Sequence, residues 1–279
     1  MGEDRGVSNQ ECKHGFELEF CDICSPRSAP EPMKPARRTT PVERAPRAPR
    51  STTGTPSPRP AKRPASGSPR GPIINTATHR VFHVTHRDTL EWILEHGELR
   101  SDTETPVDLS TPLIRELRAS VPATFETATE PATTVAECVS FALSDQASWW
   151  RDLRDGALDR TRWSDAARAL RPSDLVVLVA TLGALPDAVV TDADAASAVA
   201  RIARTPEEIT RVIARVKAGT GALEGEVLVP RPVTFESIVL IGVANEPARD
   251  RVREMLSASG REDVRVALSP EWFAPTPPV

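Results

Sequence analysis

The sequence predicts a mixed α+β fold in residues 73–279, preceded by a segment that cannot pack and by a short N-terminal cluster of metal-type ligands. Three observations carry this. Short β-branched runs and amphipathic stretches alternate from residue 73 onward at uneven spacing, which favours α+β over a doubly wound sheet. Residues 25–72 hold thirteen prolines and almost no large apolar side chain. Three of the four cysteines fall within the first 24 residues.

Residues 1–24 form the first unit. The string ECKHGFELEFCDIC places Cys12 and His14 before Gly15, and Cys21 and Cys24 as a CxxC pair. Four borderline-soft ligands suit tetrahedral zinc, and a segment with so few apolar residues needs a metal to hold together. A structural zinc on Cys12, His14, Cys21 and Cys24 is therefore expected. Residues 25–72 carry eleven Lys or Arg against two acids, so a strongly basic linker joins this motif to an acidic body in a chain of net charge −4. Its composition cannot offset ordering entropy, and it reads as disordered.

In residues 73–279 the first strand is Arg80–Thr85 (RVFHVT), whose period of two puts Val81, His83 and Thr85 on one face. A helix follows, with Leu90, Ile93 and Leu94 as its apolar stripe and Gly97 as its stop. The polar stretch 101–135 reads as a loop over a site, with a helix-compatible piece at Pro112–Arg118. Cys138–Leu143 is a strand, Trp149 to Asp155 a helix before Gly156, and Trp163–Leu170 helix or turn. Apolar runs at Leu175–Leu182 and Ala188–Thr191 are buried strands. Thr205, Pro206 and Glu208 form a capping box that opens a helix burying Ile209, Val212, Ile213 and Val216. Strands Glu226–Val229 and Ile238–Val243, a helix at Pro247–Ser257 and a strand at Val264–Leu268 complete the body.

Several function classes are excluded. No run reaches the length of a membrane span and the N-terminus lacks a secretory apolar region, so a cytoplasmic location with reduced thiols and no membrane partner is expected. The glycines of GTGALEG (219–225) follow a helix and precede a strand, the reverse of the order a Rossmann phosphate loop requires. There is no Walker loop, no GxSxG elbow and no HExxH. What remains is a Glu-x-Glu pair, Glu224 and Glu226, at the start of an apolar strand, and His83 with Thr85 on the first strand.

These residues resemble a known family. HVTHRDTLEWILEHGEL (83–99) is similar to the opening of the DarT-type DNA ADP-ribosyltransferases, which begin His-x-Thr-His and continue into a helix ending in Gly. Cys138–Leu143 followed by Trp149 stands where that family has its central strand, and VVTDADAA (189–196) is similar to its acidic turn. EGEVLVPRPVTFESIVLIGV (224–243) resembles its catalytic strand and that strand's partner, and the resemblance spans about residues 78–258.

The resemblance implies a split mixed β-sheet core with flanking helices, of the ADP-ribosyltransferase type. It implies an enzyme that moves ADP-ribose from NAD onto a base of single-stranded DNA and releases nicotinamide. It also implies a toxin or anti-phage role, with an ADP-ribose-removing antitoxin as partner. Glu226 then stabilises the oxocarbenium-like ribose and takes the acceptor's proton. Arg118, with Arg115 as competitor for the place, contacts NAD phosphates and serves catalysis, while His83 and Thr85 bind the NAD ribose. Glu224 and Trp149 would bind the acceptor, Trp149 by stacking. The chain departs from the family in having no tyrosine: Cys138, Ser140 and Ala142 stand where aromatic residues or proline are usual, and Thr89 replaces a usual asparagine. An RNA or protein acceptor, and an inactive zinc-containing nucleic-acid-binding module, are the alternative readings.

Overall fold

The structure is a computed structural model, and it describes residues 74–107, 109–123, 133–156 and 159–275. The zinc ligands Cys12, His14, Cys21 and Cys24 and the basic linker 25–72 lie outside the described residues. Among the described residues, no group of three or more His, Cys, Asp or Glu could hold a metal.

The sequence's apolar runs become the strands of one eight-stranded mixed sheet. Its members are β1 (Arg80–His86), β5 (Val139–Ala142), β6 (Leu175–Thr181), β7 (Val189–Thr191), β8 (Ile202–Ala203), β9 (Glu226–Val229), β11 (Ile238–Val243) and β12 (Arg265–Leu268). Their order is β12-β11-β6-β1-β5-β9-β7-β8. Two small ribbons sit outside the sheet: β2 (Glu98–Leu99) with β10 (Val233–Thr234), and β3 (Pro122–Ala123) with β4 (Thr133–Thr134).

Both faces of the sheet are covered, which explains why β6 reads LVVLVAT without a polar break. Val176, Leu178 and Ala180 face a core completed by α1 (Arg87–His96), α5 (Pro206–Lys217) and α6 (Glu246–Ala258). Leu175, Val177 and Val179 face the other core, closed by Trp150 and Leu153 of α3 (Ser148–Asp155) and Ala167 of α4 (Asp165–Ala169). A one-residue slip of β6 would exchange the two sets, so the packing also sets its register.

Two helix caps stand where the sequence expects them, at the end of α1 and the start of α5. Gly97 takes φ 76°, and its N–H reaches the Ile93 carbonyl at 2.8 Å to close α1. At α5 the Glu208 N–H donates to the Thr205 hydroxyl at 3.2 Å, and the Thr205 N–H donates to the Glu208 carboxylate at 3.1 Å. α2 (Pro112–Ser120) is capped by Thr111, whose hydroxyl accepts from the Ile114 N–H at 3.3 Å.

The sheet splits in its middle. β1 pairs β6 over seven registered positions, from Arg80 to His86. Toward β5 it keeps a single one, Phe82 opposite Ala142, and the strands then part. The imidazole Nδ1 of His83 spans the opening to the Ser140 carbonyl at 2.9 Å.

Candidate active site

A cleft lies where β1 and β5 part. Residues 82–85 and 140–142 line it from the sheet, Ile114, Leu117 and Arg118 from α2, and Trp149, Arg162, Trp163, Asp194 and Glu226 complete the wall. It encloses about 130 Å³ and opens to solvent.

Glu226 begins β9 and is buried. Its place depends on Thr191, the last residue of β7, whose hydroxyl accepts the Glu226 N–H at 3.0 Å and donates to the Ala193 carbonyl at 2.7 Å. That second bond folds the TDADAA turn back, so that the Ala195 N–H meets Glu226 Oε1 at 3.2 Å. Gly225 makes the approach possible: a Cβ there would stand 2.6 Å from the Thr191 carbonyl oxygen and 2.6 Å from Leu143 Cδ1. The glycine that completes the false Rossmann string is thus the one that lets β9 lie against β7.

Arg118 grips the carboxylate from above. Its Nη1 donates to Glu226 Oε1 at 3.2 Å and its Nη2 to Oε2 at 2.9 Å, a bidentate fork between side chains only 16 and 11 % exposed. The same guanidinium lies 3.7 Å from Asp194, and Asp194 lies 3.4 Å from Arg162. Charges therefore alternate along the wall. Arg115, one helical turn earlier, turns away and reaches the Ser110 carbonyl at 3.5 Å.

His83 and Thr85 are buried on one face of β1 and line the cleft, while His86 leaves it to cap α1, accepting from the Asp88 N–H at 3.1 Å. Trp149 lines the rim. Its neighbour Trp150 packs inward, edge-on to Phe273 at 5.5 Å. Glu224 stands outside the cleft lining: its carboxylate accepts from the Ser148 N–H at 2.8 Å and the Ser148 hydroxyl at 2.9 Å. Ser148 opens α3, so Glu224 satisfies the helix start from across the fold. Behind Arg118, Cys138 is buried, and that burial pushes its thiol up to about 12.

The chain has the features of one family of enzymes. Residues 82–274 match the family model described as "ssDNA thymidine ADP-ribosyltransferase, DarT". The chain belongs to the DarT family. It is an NAD-dependent ADP-ribosyltransferase. Among solved structures it is similar to Thermus sp. 2.9 DarT in complex with ADP-ribosylated ssDNA, at 19% identity and a TM-score of 0.59 over 70% of this chain and 96% of that one. The same protein in complex with NAD+ matches at 19% identity and a TM-score of 0.55, over 70% and 98% of the two chains. Thermosipho africanus DarTG in complex with ADP-ribose matches at 18% identity and a TM-score of 0.50, over 70% of this chain and 51% of that chain. No curated protein sequence matches significantly.

Of the residues expected from the sequence, the fold brings Glu226, Arg118, His83, Thr85 and Trp149 to one cleft. Sequence reasoning missed Thr191, the Ala195 amide, Asp194 and Arg162. The TDADAA string was a signal for the first three. Nothing near Arg162 in the sequence points to the cleft.

Proposed function

We propose that this enzyme transfers ADP-ribose from NAD to the base of an unpaired thymidine in single-stranded DNA, with Glu226 as the group that meets the reacting atoms. The observation that carries the reading is the Glu226 carboxylate, held by Arg118 and the Ala195 amide, in a cleft at the split of the sheet.

The chemistry follows from that placement. The bond between the ribose C1′ and the nicotinamide nitrogen breaks, nicotinamide leaves with the electron pair, and positive charge develops on the ribose. A fixed carboxylate stabilises that charge more in the transition state than in bound NAD. Thymine in a nucleotide has a single ring N–H, at N3, on its pairing edge, so the base must be unpaired to react. As N3 bonds to C1′, its proton passes to Glu226 and then to solvent. Arg118 fixes the plane of the carboxylate, which a single-point ammonium would not do. His83, its Nδ1 tied to Ser140, and Thr85 are proposed to bind the NAD ribose, and Trp149 to stack on the acceptor or its neighbour.

The N-terminal ligands Cys12, His14, Cys21 and Cys24 are proposed to hold zinc, and the basic linker to add salt-sensitive affinity for DNA. Metal analysis of the full chain and of a Cys21→Ser, Cys24→Ser variant tests the zinc. A cytoplasmic toxin role, opposed by an ADP-ribose-removing antitoxin, completes the reading. Its test is incubation with NAD and single-stranded oligonucleotides that contain or lack thymidine, followed by nicotinamide assay. Release that depends on the thymidine-containing strand supports it; equal release with both strands contradicts it.

A further inference from the structure

Two guanidinium groups line the cleft among its described residues, and they are not equivalent. Arg118 spends its fork on Glu226 and is 16 % exposed; Arg162 is 37 % exposed and, among the described residues, has Asp194 as its carboxylate partner, at 3.4 Å. Any phosphate entering this cleft therefore meets Arg162 as the cation with donors to give. Resting on the transferase reading above, we propose that Arg162 is the phosphate-binding group of the cleft, taking either the NAD pyrophosphate or a backbone phosphate of the DNA beside the target base.

The local build supports this. Arg162 rises from a turn that Asp159 ties together: its carboxylate accepts from the Thr161 N–H at 2.8 Å and the Thr161 hydroxyl at 2.7 Å, and its carbonyl accepts the Arg162 and Trp163 N–H groups. The turn is stitched to the segment leading into α2, since the Thr111 N–H donates to the Arg162 carbonyl at 3.0 Å and the Thr111 hydroxyl to the Thr161 carbonyl at 2.7 Å. The guanidinium lies over the Trp163 ring, 5.9 Å from its centroid. Backbone and stem are thus fixed while the head group faces the cleft. Among the described residues its anionic partner is Asp194, a third exposed, and pairs of that kind are weak and screened by salt. Asp194 also keeps a second cation, Arg118, when Arg162 is taken by a phosphate. The exchange leaves no carboxylate unpaired.

The test is binding by the full chain, which needs no turnover and so stands apart from the transferase reading: NAD by calorimetry, and a thymidine-containing single strand by anisotropy across a salt series. Wild type is compared with Arg162→Gln and Arg162→Lys, and melting curves verify that both fold. If the phosphate is the donor's, Arg162→Gln weakens NAD about tenfold or more and leaves the DNA salt slope unchanged. If it is the strand's, the variant lowers the salt slope by about one and leaves NAD alone. In either case Arg162→Lys, which keeps the charge, retains most of the lost binding. Unchanged binding of both ligands in Arg162→Gln, or equal losses in the Gln and Lys variants, overturns the proposal.

Discussion

Arg118 and Glu226 face each other across the cleft with both nitrogens of one fork on both oxygens of one carboxylate, at 3.2 and 2.9 Å, from elements 108 residues apart in sequence. The pair joins α2 to β9 and fixes the plane of the Glu226 carboxylate. A fork cannot be replaced by a point charge. Arg118→Lys is expected to keep the fold and lose roughly 10- to 100-fold in kcat, as a catalytic group held loosely does. Arg118→Ala leaves a buried carboxylate without its main partner and should cost about 3 kcal/mol of stability, read from urea unfolding.

Glu224 is tied to the start of α3, whose second residue, Trp149, lines the cleft. Because its carboxylate holds Ser148, the residue before Trp149, Glu224→Ala should free the helix start and raise the KM for the oligonucleotide more than that for NAD. Glu224→Gln keeps an acceptor for the Ser148 N–H and should recover much of the loss. A double-mutant cycle with Ser148→Ala is expected to show coupling of roughly 1 kcal/mol.

Gly225→Ala should be damaging out of proportion to one methyl group. Its Cβ would meet the Thr191 carbonyl at 2.6 Å, and Thr191 holds the Glu226 backbone. Overpacking of this kind costs about 1–3 kcal/mol, and the displaced carboxylate should lower turnover as well. Melting temperature and oligonucleotide modification read the two effects.

His79 makes stability depend on pH. Burial holds its pKa below the ordinary 6.5, with Lys217 in the same direction and the bond from Nε2 to the Leu143 carbonyl, at 3.0 Å, opposing. The unfolded chain then binds the proton more readily, so this stability is present above pH 6.5 and drains away as pH falls below it. Urea midpoints measured from about pH 7.5 down to 5.5 should fall in wild type and fall less in His79→Gln. Parallel slopes would contradict this.

Much of this molecule was legible because its strong elements obey local rules. The run LVVLVAT, the Thr205–Glu208 capping box and the Leu90, Ile93, Leu94 stripe each state their structure within a dozen residues. That Glu226, His83 and Arg118 come to one cleft was legible through the family resemblance. The two-residue strands β2, β3, β4, β8 and β10 were not, since two residues carry no period. Partnerships made by the fold were equally hidden: Glu224 finds Ser148 at a separation of 76 residues and Arg162 finds Asp194 at 32. Glu-x-Glu read as two carboxylates of one site, Glu226 for the ribose and Glu224 for the acceptor, but its members face different elements, one the cleft and the other a helix end.

The most direct test of the central claim is the mass of a thymidine-containing single-stranded oligonucleotide after incubation with NAD and either the wild-type enzyme or Glu226→Ala. A gain of one ADP-ribose with wild type and none with the variant is predicted; equal modification by both would show that Glu226 is not the group on which the transfer depends.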